Sequence, residues 1–176
     1  MSYLFTSERL GFRNWLDADL SEMTEINKHS EVMKYFPSTQ DKAQTIDFVM
    51  RMQKMFIDKG YCYFAVEELA FKQFIGFIGL AHQTYEAEFT PCTDIGWRLH
   101  PKYWNKGYAT EGAKACLDYG FNKLNLKQIV SIAPVINMPS ISVMQKIGMS
   151  KVNTFKHPLL SDFSELQECV LYSLTN

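Results

Sequence analysis

The sequence predicts an α+β fold built on one mixed, mostly antiparallel twisted sheet. Between residues 61 and 99 it is rich in aromatic and β-branched residues, in short runs broken by polar connections, as in antiparallel hairpins. After residue 93 the order becomes strand, helix, strand, helix, strand, which requires at least one right-handed crossover within the same sheet. With 47% hydrophobic and 21% charged residues, the 176-residue chain can bury a substantial core as a single domain over 1–176.

Arg9–Arg13 reads as a first strand. Asp17 is placed to cap a helix whose apolar side carries Leu20, Met23 and Ile26 or Asn27. A second helix starts near Asp41, with Ile46, Val49, Met50, Gln53, Phe56 and Ile57 at helical spacing, and Gly60 ends it. Its Met and Phe content is read as core. Tyr61–Glu67, Phe74–His82 and Thr93–Leu99 are the next three strands. Gly107–Lys123 is the strongest helix, because Ala109, Gly112, Ala113, Cys116, Leu117 and Gly120 form one continuous face of small residues that can press against a sheet. Gln128–Ala133 is a strand, Ser140–Ile147 a short helix, and Lys151–Phe155 and Leu166–Leu174 complete the sheet.

Composition removes several function classes. A net charge of −1 gives no electrostatic case for a nucleic-acid backbone or an anionic membrane as partner. The four cysteines form no Cys-x-x-Cys pair, so zinc and dithiol chemistry lack support. They read as free buried thiols of a cytoplasmic protein with no secretory signal and no apolar run long enough to span a bilayer. His29, His82 and His100 have no spaced partner, and no metal is expected.

The segment from Trp97 to Glu111 is the most informative. A strand ends near Leu99, a loop follows, and a helix opens at Gly107. A helix N-terminus offers unpaired N–H groups and partial positive charge to an anion, and a glycine there lets a phosphate approach the backbone. Lys106 could add a point charge. An ordinary helix start with a permissive glycine would read the same way.

Trp104-Asn105-Lys106-Gly107-Tyr108-Ala109 resembles the acyl-CoA pyrophosphate signature Gln/Arg-x-x-Gly-x-Gly/Ala of the GNAT N-acetyltransferases, with Trp104 departing from its first position. The continuation to Glu111 is similar to the branch containing the ribosomal-protein N-terminal acetyltransferases. Thr6-Ser7-Glu8-Arg9-Leu10 with Arg13 and Trp15 resembles that branch's opening. Asn137, Ser140, Val143, Lys146 and Gly148 resemble its Asn-x-x-Ser-x-x-Val-x-x-Lys-x-Gly pattern, and His157-Pro158 and Val170-Leu171-Tyr172 its C-terminal one. The matches span nearly the whole chain in order.

The resemblance implies helices on both faces of the sheet and a fourth and fifth strand that splay apart around acetyl-CoA, with no metal. The backbone of Trp97, Arg98 and Leu99 would hold the pantetheine arm. Trp104, Asn105, Lys106, Gly107, Tyr108, Ala109 and Thr110 would hold the pyrophosphate, and Asn137, Ser140 and Lys146 would complete the cofactor side. Asn137 could instead be only a turn residue beside Pro139. Acetyl transfer to an amine needs a base, oxyanion stabilisation and an acid for the leaving thiolate. Asp94 is the candidate base, directly or through a water, or else a solvent-facing strand residue. Many family members carry a Tyr seven residues after the Asn; here that position is Met144, so the acid role is assigned to Ser140, which could alternatively be a helix cap. Glu111 is read as compensating the helix dipole. Trp15, Tyr35, Glu86 and His157 would border the acceptor, a protein N-terminus or a small amine. The protein would act as a monomer or homodimer without nucleic acid or membrane. A non-catalytic acyl-CoA sensor is the alternative.

Overall fold

The computed structural model describes residues 2–176. Eight strands form one sheet: β1 (Phe5–Thr6), β2 (Leu10–Arg13), β3 (Tyr63–Glu68), β4 (Gln73–Gln83), β5 (Cys92–Leu99), β6 (Gln128–Pro134), β7 (Ser150–Lys156) and β8 (Glu168–Thr175). Their order is β1-β2-β3-β4-β5-β6-β8-β7. Every neighbouring pair is antiparallel except β5 with β6. The helices are α1 (Asp19–Lys28), α2 (Lys42–Lys59), α3 (Tyr108–Asp118), α4 (Met138–Lys146) and a single turn, α5 (Ser164–Gln167). Among them none is long and apolar enough to cross a membrane.

Alternation along β4 sets the two layers. Ile78 points to one face, where Gly112 of α3 lies directly against it and against Leu10 and Phe12. Phe77 points to the other, where it meets Phe48 of α2 at 5.2 Å between ring centroids, beside Trp15. The small-residue face read from Gly107–Lys123 is thus the surface that lets α3 approach the sheet. That helix changes character at Tyr119, where five residues form a wider π turn that seats Gly120 against Leu80 and Ile129.

Several sequence expectations change in detail. α1 has no side-chain cap from Asp17; its first residue, Asp19, turns its carboxylate inward to accept from the Leu16 N–H and from Arg13. The apolar face of α2 is Thr45, Phe48, Val49 and Met52, while Met50 (61% exposed) and Ile57 (80%) face solvent. The stripe read around Met50 and Ile57 was rotated by about one residue. Asp41 caps α2 through a capping box with Gln44, and Gly60 closes it in the left-handed conformation. Leu166 and Gln167 belong to α5, and β8 starts at Glu168. Three of the four cysteines are buried as expected, but Cys92 is only half-buried.

Arg13 ties β2, β3 and α1 together. Its guanidinium contacts Asp19 at 2.7 Å and Glu67 at 2.6 Å, and all three residues are buried. Burial works against its charge, but the two carboxylates hold it more firmly protonated than usual. Removing one partner leaves a charge inside with incomplete compensation. Asp19→Ala should therefore lose about 3–5 kcal/mol of stability, read as an earlier urea midpoint with an unchanged slope.

Candidate active site

The parallel pair β5 and β6 touches at one register position, Asp94 opposite Val130. The Ser131 hydroxyl fastens this junction by donating to the Ile95 carbonyl at 3.0 Å. Beyond it the strands diverge, as the resemblance implied for the fourth and fifth strands of the sequence reading. The Ile95 carbonyl faces β6, whereas the Arg98 carbonyl lies against Gly76 of β4. Alternation therefore turns the peptide groups of Trp97 and Leu99 into the gap and that of Arg98 away from it. The Arg98 side chain is buried too, donating to Asn27 at 2.7 Å and lying 4.2 Å from the Phe36 ring. Of the three residues expected to hold a pantetheine arm, only Trp97 and Leu99 present backbone to it. The Leu99 carbonyl already accepts from the Trp104 indole at 2.8 Å, so Trp104 anchors the turn.

That turn ends at the start of α3. Asn105 (φ 59°) and Gly107 (φ 82°) are both left-handed, following an extended Trp104. Among the described residues, the N–H groups of Asn105, Lys106, Gly107, Tyr108, Ala109 and Thr110 meet no acceptor. Six successive amides without an acceptor at a helix N-terminus offer donors and partial positive charge suited to an anion such as a pyrophosphate. Lys106 is exposed, with its ammonium 5.5 Å from the Tyr103 ring. The Tyr108 side chain points inward to donate to Glu68 at 2.6 Å, so only its backbone serves the cradle. Glu111 takes up Ser7, the Arg9 N–H and the Arg9 guanidinium, and Arg9 donates on to the Lys106 carbonyl at 3.1 Å. Glu111 is the fastener of the turn, beyond the dipole role read from sequence.

Asp94 is buried at 9% exposure rather than solvent-facing. Tyr63 donates to both its oxygens at 2.8 Å and Gln83 donates at 3.1 Å. Burial raises its pKa to about 6, against the opposing effect of the Gln83 and Tyr63 hydrogen bonds. Tyr63 reaches Asp94 because its ring lies over Gly96, with ring atoms 3.1–3.2 Å from where a Cβ would stand. Trp15, expected beside the acceptor, is 2% exposed; its indole donates to the Tyr63 carbonyl at 2.7 Å and supports Tyr63 from inside the core. Sequence reading missed Tyr63 and Gln83. The signal was present: Gly79 and Gly96 stand within strands, where a glycine marks a close approach.

On the other side of the gap, Asn137 caps α4 by accepting from the Ser140 N–H at 3.2 Å. The cap is thus Asn137, not Ser140. Ser140 is half-buried, and its hydroxyl has no partner among the described residues. Met144 is 1% exposed in the core, and Lys146 is exposed at the far end of the helix. His157 is half-buried against Tyr85, with ring centroids 4.5 Å apart, and burial lowers its pKa. Glu86 is exposed on the segment between β4 and β5. Tyr35 is half-buried in the stretch after α1, and no hydrogen bond or ring contact among the described residues links it to Asp94.

Comparison with known proteins agrees with this geometry. Residues 9–150 match the family model of the acetyltransferase (GNAT) domain. An uncharacterized N-acetyltransferase, YnaD of Bacillus subtilis, is 34% identical over 154 residues, covering 86% of this chain and 85% of its own. A GNAT-family acetyltransferase structure from Bacillus anthracis superposes with a TM-score of 0.79 at 31% identity, covering 97% and 96% of the two chains. The spermidine N(1)-acetyltransferase of Escherichia coli K12 is 37% identical over 59 residues, 34% of this chain and 32% of its own. With the diverging strands and the amide cradle already in place, the chain belongs to the GNAT family and is an acetyl-CoA-dependent N-acetyltransferase.

Proposed function

We propose that this chain, acting as one catalytic domain over 1–176 in the cytoplasm, moves an acetyl group from acetyl-CoA to a primary amine by direct attack in a ternary complex. The observation that carries the reading is the buried Asp94 at the vertex of a gap whose open end leads to six unmet amides. Acetyl-CoA supplies the activated acyl thioester. The Asn105–Thr110 amides bind its pyrophosphate, and the Trp97 and Leu99 peptide groups and the Asn137 side-chain amide orient its arm. Asp94 takes the proton of the attacking ammonium, directly or through a water, and Ser140 supplies one to the leaving sulfur. A small amine is the favoured acceptor: the spermidine enzyme among the relatives acts on one, while the opening motif keeps a protein N-terminus as the second choice.

A side chain at Gly107 would enter the cradle from the solvent side, where only Arg9 Nη2 lies within 4 Å. Gly107→Val should keep the fold, apart from about 1–2 kcal/mol of left-handed strain, and lose at least tenfold in acetyl-CoA affinity by calorimetry. Unchanged affinity removes Gly107 from the site.

Asp94 links activity and stability with opposite signs. Its carboxylate is needed for proton removal, so kcat/KM should fall as pH drops below about 6. Its folded pKa lies above the ordinary value, so its contribution to stability is complete below about pH 4 and is lost as pH rises through about 6. Asp94→Asn should therefore be inactive yet more stable than the parent at pH 7–8, by up to roughly 3 kcal/mol, with the advantage gone below about pH 4. Thermal melts across pH read this directly.

Ser140→Ala should lower kcat by roughly a hundredfold with acetyl-CoA affinity intact. Because Asn137 makes the cap, little stability should be lost. Turnover at the parental rate assigns the acid to another group or to water.

A further inference from the structure

Residues 84–91 join β4 to β5, whose last and first residues, Gln83 and Cys92, pair directly. The connection does not stay beside that hairpin. Tyr85 stacks on His157 at 4.5 Å, and Phe89 packs on Phe155 at 5.0 Å, so the segment reaches the end of β7, on the far side of β6 and β8. It is a strap across the diverging strands. Thr90 fixes its shape from within, its hydroxyl reaching the Tyr85 and Ala87 carbonyls and accepting from the Ala87 N–H.

The strap carries an anomaly: the Tyr85 hydroxyl is shut away from solvent and has no hydrogen-bond partner among the described residues. A buried, unsatisfied hydroxyl is costly and calls for a reason. Burial and then the nearby Asp94 charge push its pKa up, so it stays a neutral phenol with lone pairs to offer. We propose that Tyr85 is the second contact, with Asp94, for the reacting amine, and that the strap admits primary amines on a neutral or cationic arm while refusing those with a carboxylate beside the amine. The inference rests on the acetyl-transfer reading above and names its acceptor class.

The surroundings set that class. Tyr85 lies in a cluster of rings with Phe89, Phe155 and His157, and aromatic faces attract a cation. The fixed charges of the strap and vertex are acidic: Asp94 inside, Glu86 and Glu88 exposed outside. Arg98 shares the Asp94 face of β5; its Nη1 donates to Asn27 and its guanidinium packs on Phe36 and Phe77, while its Nε, like the Tyr85 hydroxyl, is buried without a partner among the described residues. Lys156 is exposed at the end of β7. A carboxylate next to the amine would be repelled by Asp94, while the Arg98 guanidinium is turned toward Asn27 and Phe36 and Lys156 is out in solvent.

The test measures CoA release with butylamine, 1,4-diaminobutane and norvaline, which is butylamine with a carboxylate on the amine-bearing carbon. Wild-type protein and Tyr85→Phe are compared. Phe keeps the ring against His157 and removes only the hydroxyl, so the variant should melt no lower than the parent. Wild type should show kcat/KM at least tenfold higher for the two amines than for norvaline. Tyr85→Phe should raise the KM for butylamine about tenfold while acetyl-CoA affinity by calorimetry stays unchanged. If wild type turns over and the variant has the same KM, or norvaline serves as well as butylamine, the inference is overturned and the transferase reading stands. If wild type binds acetyl-CoA and releases no CoA with any of the three, the small-amine acceptor of the proposed function falls and the inference with it.

Discussion

β5 and β6 run parallel but pair at one position, Asp94 opposite Val130, with the Ser131 hydroxyl bound to the Ile95 carbonyl beside it. Everything distinctive about the molecule follows from that short junction. The crossover through α3 forces the two strands to be parallel, and their divergence leaves the Trp97 and Leu99 peptide groups without a partner strand. Unpaired backbone inside a sheet is costly unless something else bonds it. Trp104 satisfies the Leu99 carbonyl internally, and the remaining groups stay open to the amide-bearing ligand arm of the proposed function.

The proposed base shows how packing makes chemistry. Asp94 is short and buried, and alone it would favour its neutral form. Gly79 lets the β3 backbone at Cys62–Phe64 come close to β4, and Gly96 on β5 leaves room for the Tyr63 ring, which delivers a hydroxyl to both carboxylate oxygens. Phe77 stacks on the other part of this surface, 5.1 Å from the Tyr63 ring. Burial raises the pKa and the donors restrain it, giving a value near 6. A base poised there is charged at neutral pH and still close enough to its pKa to hand the proton on.

The fold was largely readable from sequence because its evidence is local. Strand texture, the small-residue face of α3 and the glycine at its start each depend on neighbours a few residues away. The glycine turn before α3 was readable as a turn for the same reason. The base's setting was not, because Tyr63, Gln83 and Asp94 come from three strands and meet only through register. Trp15 illustrates the limit: an aromatic residue near a motif looks alike whether it faces a ligand or props up the residue that does. The α2 stripe was misjudged because Met50 and Ile57 are apolar yet exposed, and pattern alone cannot separate them from Phe48 and Met52.

The fastening of the phosphate turn joins distant parts of the chain. Arg9 meets Glu111 across 102 positions and the Lys106 carbonyl across 97. Contacts that far apart form only after the intervening chain has been ordered, since the entropy of closing so long a loop must be overcome first. During synthesis Arg9 leaves the ribosome long before its partners exist. The hairpins of β2 to β5 can assemble from what has already emerged, while the cradle has no anchor until α3 follows. A nascent chain arrested before Glu111 would thus hold part of a sheet and have no grip on the acyl donor. The anchoring of the proposed acyl-donor site waits until α3 has joined the sheet.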